Sequence, residues 1–284
     1  MSTVLGRRLG GELLNLRESC SLRQTHAAEA LTASVAKVAK MERGLVPMRD
    51  PDVRALCHLY GQGDGEFVNR LLSLARTDRE RRKTRGWWDD SHHSSTAEFI
   101  SLEQVALRVR AWQMALIPGL FQTADYIRAL AVADFSWDEL DKIEQVVESR
   151  ARRQARLYGD EPLRVHAIIW EAALRQQVGG PALMARQLAH VLELSQMPNI
   201  LVQVLPYRAG GHPCVGGAFN ILSFADDDAL DVVHMDGLRS TVWAEGAEES
   251  AHYAALFART SQVCLSPYDS SQYIEDIARG LSKE

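Results

Sequence analysis

Residues 22–44 read Leu22-Arg23-Gln24-Thr25-His26-Ala27-Ala28-Glu29-Ala30-Leu31-Thr32-Ala33-Ser34-Val35-Ala36-Lys37-Val38-Ala39-Lys40-Met41-Glu42-Arg43-Gly44. Ala27, Ala28 and Leu31 form an apolar stripe at helical spacing. Thr32-Ala33 interrupts the stripe, and Ser34 is a good N-cap for a second helix, because its hydroxyl can accept from an otherwise unpaired amide. Val38 and Met41 restart the buried face, Glu42 sits beside it, and Gly44 can close the helix in a left-handed conformation. Small side chains at Ala27 and Ala28 let two helices cross closely. That geometry is what a DNA-reading helix pair needs: one helix braces on the phosphate backbone while the next enters the major groove. An ordinary helical hairpin explains each feature singly; the agreement of cap, glycine and small crossing residues favours DNA binding.

Working outward, Leu9, Leu13 and Leu16 give a helix over about Val4–Ser19 an inward side. Asp50-Pro51 reads as an N-cap followed by proline at the first helical position, with Leu56 and Leu59 as that helix's core side. Glu66 to about Arg82 reads as a fifth helix carrying Phe67, Leu71, Leu72 and Leu74. Gln24, Ala28, Leu31, Ser34, Val38, Glu42, Arg43 and Gly44 resemble the pattern of the phage-repressor-like (XRE) helix-turn-helix family, and the likeness runs from Leu5 to Tyr60. The resemblance implies an all-α domain of about five helices and a structural Arg17–Glu42 pair. With the helical spacing, it also puts Ser34, Val35, Ala36, Lys37 and Lys40 toward the groove, Arg23 and Gln24 on phosphates, and Arg43 among the DNA-binding residues. Val35 and Ala36 depart from the polar residues many repressors place there; they can touch thymine methyls but cannot hydrogen-bond a base edge.

The charge is split along the chain. Residues 1–85 hold 16 Lys+Arg against 10 Asp+Glu, a net of +6, and residues 86–284 hold 16 against 27, a net of −11. A basic segment on an acidic body is the footprint of a DNA-binding module with a separate domain that does not face DNA. The length suggests two domains, and 46% hydrophobic residues suffice for buried cores. No segment reads as a signal peptide or a membrane span, so a cytoplasmic, nucleoid-associated protein is expected. Cys20, Cys57, Cys214 and Cys264 are scattered and read as reduced thiols. A zinc site from His212, Cys214 and His234 lacks a fourth ligand at suggestive spacing, so neither metal nor cofactor is expected.

The domain boundary reads as a linker over 86–95, between a helix-turn-helix domain at 1–85 and a second domain at 96–284. The run Arg79 to Arg85 reads as the solvated end of the fifth helix, with phosphate contact as the lesser alternative. Trp87-Trp88 read as packing at the junction. In the second domain Val105, Leu107, Val109 and Ala111 alternate with Arg108 and Arg110, the period-two mark of a strand. Thr123 caps a helix to about Ala133, and Ser136-Trp137-Asp138-Glu139 has capping-box spacing at the start of a helix to about Tyr158. Strands are expected at Leu163–Trp170, Ile200–Leu205, Ala218–Phe224 and Leu230–Met235, the last two joined by an acidic tip at Asp226–Asp228. Helices are expected at Pro181–Gln196, Glu248–Val263 and Ser270–Gly280. The fold class is an all-α helix-turn-helix domain followed by an α+β domain with a small sheet covered by helices.

Ile117-Pro118-Gly119-Leu120-Phe121-Gln122-Thr123, Arg150 to Gln154, Glu171 to Arg175, Val178-Gly179-Gly180, Gln187-Leu188 and Pro198-Asn199-Ile200 resemble the C-terminal domain of actinobacterial WhiJ-like regulators. That resemblance covers nearly the whole chain. It implies control of development or antibiotic production, antitoxin-like behaviour in some members, and a small partner protein encoded nearby. No catalytic motif is present, so the chain does not read as an enzyme. Glu171 and Arg175 read as a pair pinning a strand to a helix. Arg150, Arg153 and Arg156 share a helix face and could grip an acidic partner, although a solvated face is the plainer reading. The expected partners are double-stranded DNA, a second copy in a homodimer and the small protein, with no membrane. The body is then either a dimerisation and partner-binding platform or a small-molecule sensor.

Overall fold

The computed structural model describes residues 2–63, 65–83, 94–133, 140–224, 231–237 and 240–282. Five helices come first: α1 (Val4–Ser19), α2 (Gln24–Ala30), α3 (Val35–Glu42), α4 (Asp50–Leu59) and α5 (Glu66–Lys83). Then follow α6 (Ser94–Val105), β1 (Arg108–Gln113), α7 (Ala124–Ala133), α8 (Leu140–Gln154), β2 (Arg164–Trp170), α9 (Glu171–Arg175), α10 (Pro181–Leu194) and β3 (Ile200–Leu205). The chain ends with β4 (Phe219–Ser223), β5 (Val232–Asp236), β6 (Thr241–Ala244), α11 (Ala247–Val263) and α12 (Pro267–Leu281).

Contacts group the chain into two compact units. One holds Met1–Val105 with Ser223–His234 and Val242–His252; the other holds Ala106–Leu222, Met235–Thr241 and Tyr253–Glu284. The unit with the five N-terminal helices is therefore not one contiguous stretch, and it includes α6. Its core is built from Leu5, Leu9, Leu13, Val38, Met41, Val53, Leu71 and Leu72, all buried. Leu16, Leu59 and Phe67 are half-buried, and Cys57 takes the inward place beside Leu56.

The strands form a six-stranded sheet in the order β3-β2-β1-β4-β5-β6. β1, β2 and β3 are parallel, with Arg110 opposite His166 and Val165 opposite Ile200. Parallel strands need crossover connections, which α7 with α8, and α9 with α10, supply. Ala167, Ile168 and Ile169 are all fully buried, as expected for a strand covered on both faces. α12 opens on Ser266, whose side chain accepts from Asp269 N, with proline in the first turn. The Ser270 hydroxyl accepts from Val204 N at 2.9 Å and Leu265 N donates to Val204 O at 2.9 Å, so this segment caps the outer side of β3.

Several expectations change. Val105 ends α6 rather than opening a strand; the alternation is strand-like only from Arg108 onward. The α4 N-cap is Arg49, one residue earlier than read, and Asp50 already lies in the helix. Its carboxylate instead accepts from Arg76 Nε at 2.7 Å and from Arg79 at 2.7 Å. Among the described residues of the basic run, Arg79, Arg81 and Arg82 are engaged internally while Glu80 and Lys83 are exposed. Arg79 also donates to Met48 O at 2.6 Å, Arg81 to Ser101 Oγ at 2.7 Å, and Arg82 to Asp78 at 2.7 Å and Thr3 Oγ1 at 2.8 Å. α6, α9 and β6 were not anticipated; α9 and β6, of five and four residues, carry too little pattern, and α6 starts in the stretch read as a linker. Trp87-Trp88, Ser136–Glu139 and Asp226–Asp228 lie outside the described residues.

Candidate nucleic-acid interface

α2 and α3 are set by their ends. α2 stops at Leu31, and Thr32 turns the chain with φ +49°, letting Thr32 N donate to Glu29 O and Ala33 N to Ala28 O. This left-handed turn is one that glycine usually fills. Ser34 then caps α3, its hydroxyl accepting from Lys37 N at 3.2 Å. α3 ends at Arg43, and Gly44 follows at φ +65° with Leu45 N donating to Lys40 O at 2.8 Å. A Cβ at Gly44 would lie 2.4 Å from Arg7 N.

The inner face of α3 is fixed by a polar clamp as well as by Val38 and Met41. Arg17 Nε donates to Glu42 Oε1 at 2.6 Å and its second nitrogen to Oε2 at 3.2 Å; a third bond reaches Leu22 O at 2.7 Å. Arg17 and Glu42 side chains are 9% and 7% exposed, so the pair is largely shielded from solvent. Glu42, first through its hydrogen bond, raises the Arg17 pKa further. Gln24 completes the clamp by donating to Glu42 Oε2 at 2.7 Å. The amide expected on a phosphate thus braces α3, a role the sequence did not reveal.

Three further features hold α3. A Cβ at Gly10 would fall 2.3 Å from Glu42 O, and one at Gly6 would fall 3.0 Å from Gly44 O. These two glycines, four apart on α1, are the crossing point; their spacing was the available signal. Arg82 donates to Gly44 O at 2.8 Å, tying α5 to the end of α3. Burial first of all pushes the nearby Tyr60 hydroxyl up to about 12.

The outer face is different. Ser34, Val35, Ala36, Lys40, Arg43 and Arg23 are exposed and Lys37 is half-buried. Among the described residues Arg23, Lys37, Lys40 and Arg43 form no ion pair, whereas Arg17, Arg49, Arg76, Arg79 and Arg82 each do. Arg43 is held along the helix end by an Nε bond to Ala39 O at 3.0 Å. Most of the cationic charge of the N-terminal segment is spent internally, and what stays unpaired on α2 and α3 lies on one pair of helices.

The residues singled out in the second domain behave structurally. Arg153 is buried, Arg150 and Arg156 are half-buried, Arg150 lies over Gly119, and Arg156 donates to Ala106 O at 3.1 Å. Arg150 and Arg153 on α8 lie against the Gly119 turn, and Arg156, just past the end of α8, bonds backbone carbonyls, so much of this row is turned toward its own domain rather than being a fully solvated face. Glu171 accepts from Arg175 Nε at 2.5 Å and from Tyr207 N at 2.7 Å; burial opposes its charge, but these bonds hold its pKa below the ordinary value. Two tryptophans of this region also pack internally: Trp112 is fully buried and donates to Cys214 O at 3.0 Å, and Trp170 packs edge-on to Tyr207. His212 packs on Trp112, Cys214 accepts from Thr260 at 3.0 Å, and His234 lies between Phe99 and Trp243. Among the described residues no three His, Cys, Asp or Glu side chains are grouped as metal ligands. Among the same residues no helix is long and apolar enough to cross a membrane.

A family model described as a helix-turn-helix domain matches residues 8–71, and the model of DUF5753, a domain of unknown function, matches residues 96–276. The chain belongs to the DUF5753 family. No curated protein and no solved structure matches it. This DUF5753 protein carries its helix-turn-helix on α1 to α5, which makes it a DNA-binding regulator, and the family assigns no activity to the α+β region.

Proposed function

We propose that this protein is a sequence-specific transcriptional regulator that lays α3 in the major groove, with Arg23 positioning α2 on the phosphates. The observation that carries the reading is the contrast between the two faces of α3: an inner face clamped by Arg17 and Gln24, and an outer face where Lys40 and Arg43 have no carboxylate partner among the described residues. Gln24 reaches DNA in this reading only through groups not engaged by Glu42. A single recognition helix spans too few base pairs for useful specificity. The protein accordingly binds as a homodimer on half-sites about 34 Å apart, or a multiple of that, with the dimer contact in the acidic body. The resemblance to WhiJ-like regulators implies targets in development or secondary metabolism, or an antitoxin-like circuit, with a small partner acting on the body.

Selection of duplexes from a random pool by the full-length protein tests this. An enriched sequence with two related half-sites is expected. Enrichment of no sequence, with binding equal on all duplexes, overturns it.

A further inference from the structure

We infer that the groove-facing turn of α3 reads the 5-methyl group of pyrimidines, so that 5-methylcytosine substitutes for thymine in its site; this rests on the DNA-binding reading above. Val35 is 42% exposed, and Ala36 beside it is exposed. A β-branched apolar residue in solvent gains little there from helix propensity or burial. The polar groups of the same turn are drawn partly inward. The Ser34 hydroxyl oxygen accepts from Lys37 N at 3.2 Å, and Lys37 is half-buried with its charge acting on the Asp52 carboxylate.

The turn that leads into the groove therefore presents methyl groups, continued by half-buried Ala39, before the cations Lys40 and Arg43 follow. In the major groove the apolar mark of a base pair is the thymine C5-methyl, while cytosine carries a hydrogen at that position. 5-Methylcytosine places a methyl at the same point. A surface of methyl groups groups thymine with 5-methylcytosine and separates both from unmodified cytosine and from uracil.

The test uses the full-length protein and its selected duplex, with each thymine replaced in turn by uracil and each cytosine by 5-methylcytosine. At a pyrimidine facing Val35 or Ala36, uracil should weaken binding about fourfold, the factor carried by burial of one methyl group. At a thymine-to-cytosine variant of that position, 5-methylation should restore the loss. Val35→Ala should shrink the thymine–uracil ratio toward one while leaving the salt dependence of binding unchanged. If the protein selects a sequence but every uracil and 5-methylcytosine substitution leaves affinity within about twofold, below the methyl increment, the methyl inference is overturned and the DNA-binding reading stands. If no sequence is selected, both fall.

Discussion

Arg17 shows how one residue sets the functional element. Its guanidinium makes two bonds to Glu42 and one to Leu22 O, and Glu42 is 7% exposed at its side chain. Removing one member of such a pair strands the other, so Arg17→Ala should destabilise the N-terminal unit by about 3–5 kcal/mol. Replacing both residues, Arg17→Met with Glu42→Leu, should recover most of that loss in denaturant unfolding; a double variant as unstable as the single one contradicts the account. Thr32 is the second case. A β-branched residue at φ +49° carries a backbone cost that glycine avoids, partly offset by glycine's greater unfolded-state freedom. Thr32→Gly should raise stability by about 0.5–1 kcal/mol, and a lower melting temperature would count against strain at this turn. The Arg17–Glu42 pair was implied by resemblance, whereas Gln24 on Glu42 was not legible, because an amide at a helix start serves a phosphate or a neighbouring carboxylate equally well.

At the scale of elements, periodicity identified nearly all the helices and most strands, because each carries its apolar stripe or alternation within itself. It could not say which polar rows are covered. Arg150, Arg153 and Arg156 fall at helical spacing, but only tertiary packing decides that Arg150 and Arg153 meet Gly119 and that Arg156 reaches Ala106 O; the same holds for Arg79 and Arg82. The crossing of α1 over α3 depends on Gly10, where a Cβ would meet Met41 O at 2.6 Å as well as Glu42 O. Gly10→Ala should cost about 1–3 kcal/mol through overpacking and weaken DNA binding by displacing α3, read by thermal melting and a mobility-shift titration; unchanged binding would show that α3 tolerates the displacement.

β2 carries a pH-dependent element. Burial, and then Arg110 and Arg108, hold the His166 imidazole below its ordinary 6.5, against the support of its bond to Gln203 at 2.8 Å. Phe257 packs edge-on to the ring, and Ser261 shares Gln203 Oε1. The folded state thus takes up this proton less readily than the unfolded state. The stability is complete above pH 6.5 and is lost as pH falls below it, with a slope approaching about 1.4 kcal/mol per pH unit for one proton. Urea unfolding from pH 7 to 5.5 should show a shallower decline for His166→Gln than for the parent; parallel declines would remove His166 as the source.

At the scale of the whole molecule, the linear division of the sequence and the compact units differ in an instructive way. Glu98 and Glu245 lie within the DUF5753 match, yet they complete the surroundings of the first helix: Glu98 accepts from Val4 N at 2.9 Å, and Glu245 accepts from Arg7 Nε at 2.8 Å. Burial raises the Glu245 pKa while Arg7 opposes that shift. Arg7 also packs against Gly44 at the end of α3. No local pattern announces such long-range partners, since a lone glutamate near a helix start reads equally as a cap or a solvated charge. The charge split of the chain was legible, but its use was not: most N-terminal arginines bind the domain together, leaving few for DNA.

The central claim is that the outer face of α3 contacts DNA. It is tested most directly by titrating the selected duplex with the full-length parent, Lys37→Ala and Lys40→Ala over a range of salt concentrations. The account predicts weaker binding for Lys40→Ala. If Lys40 neutralises a phosphate, the slope of log affinity against log salt should be flatter by about one unit; if it reads a base, the preference for the selected site should relax by about 1–3 kcal/mol. Affinity, salt slope and site preference identical to the parent in both variants would contradict it.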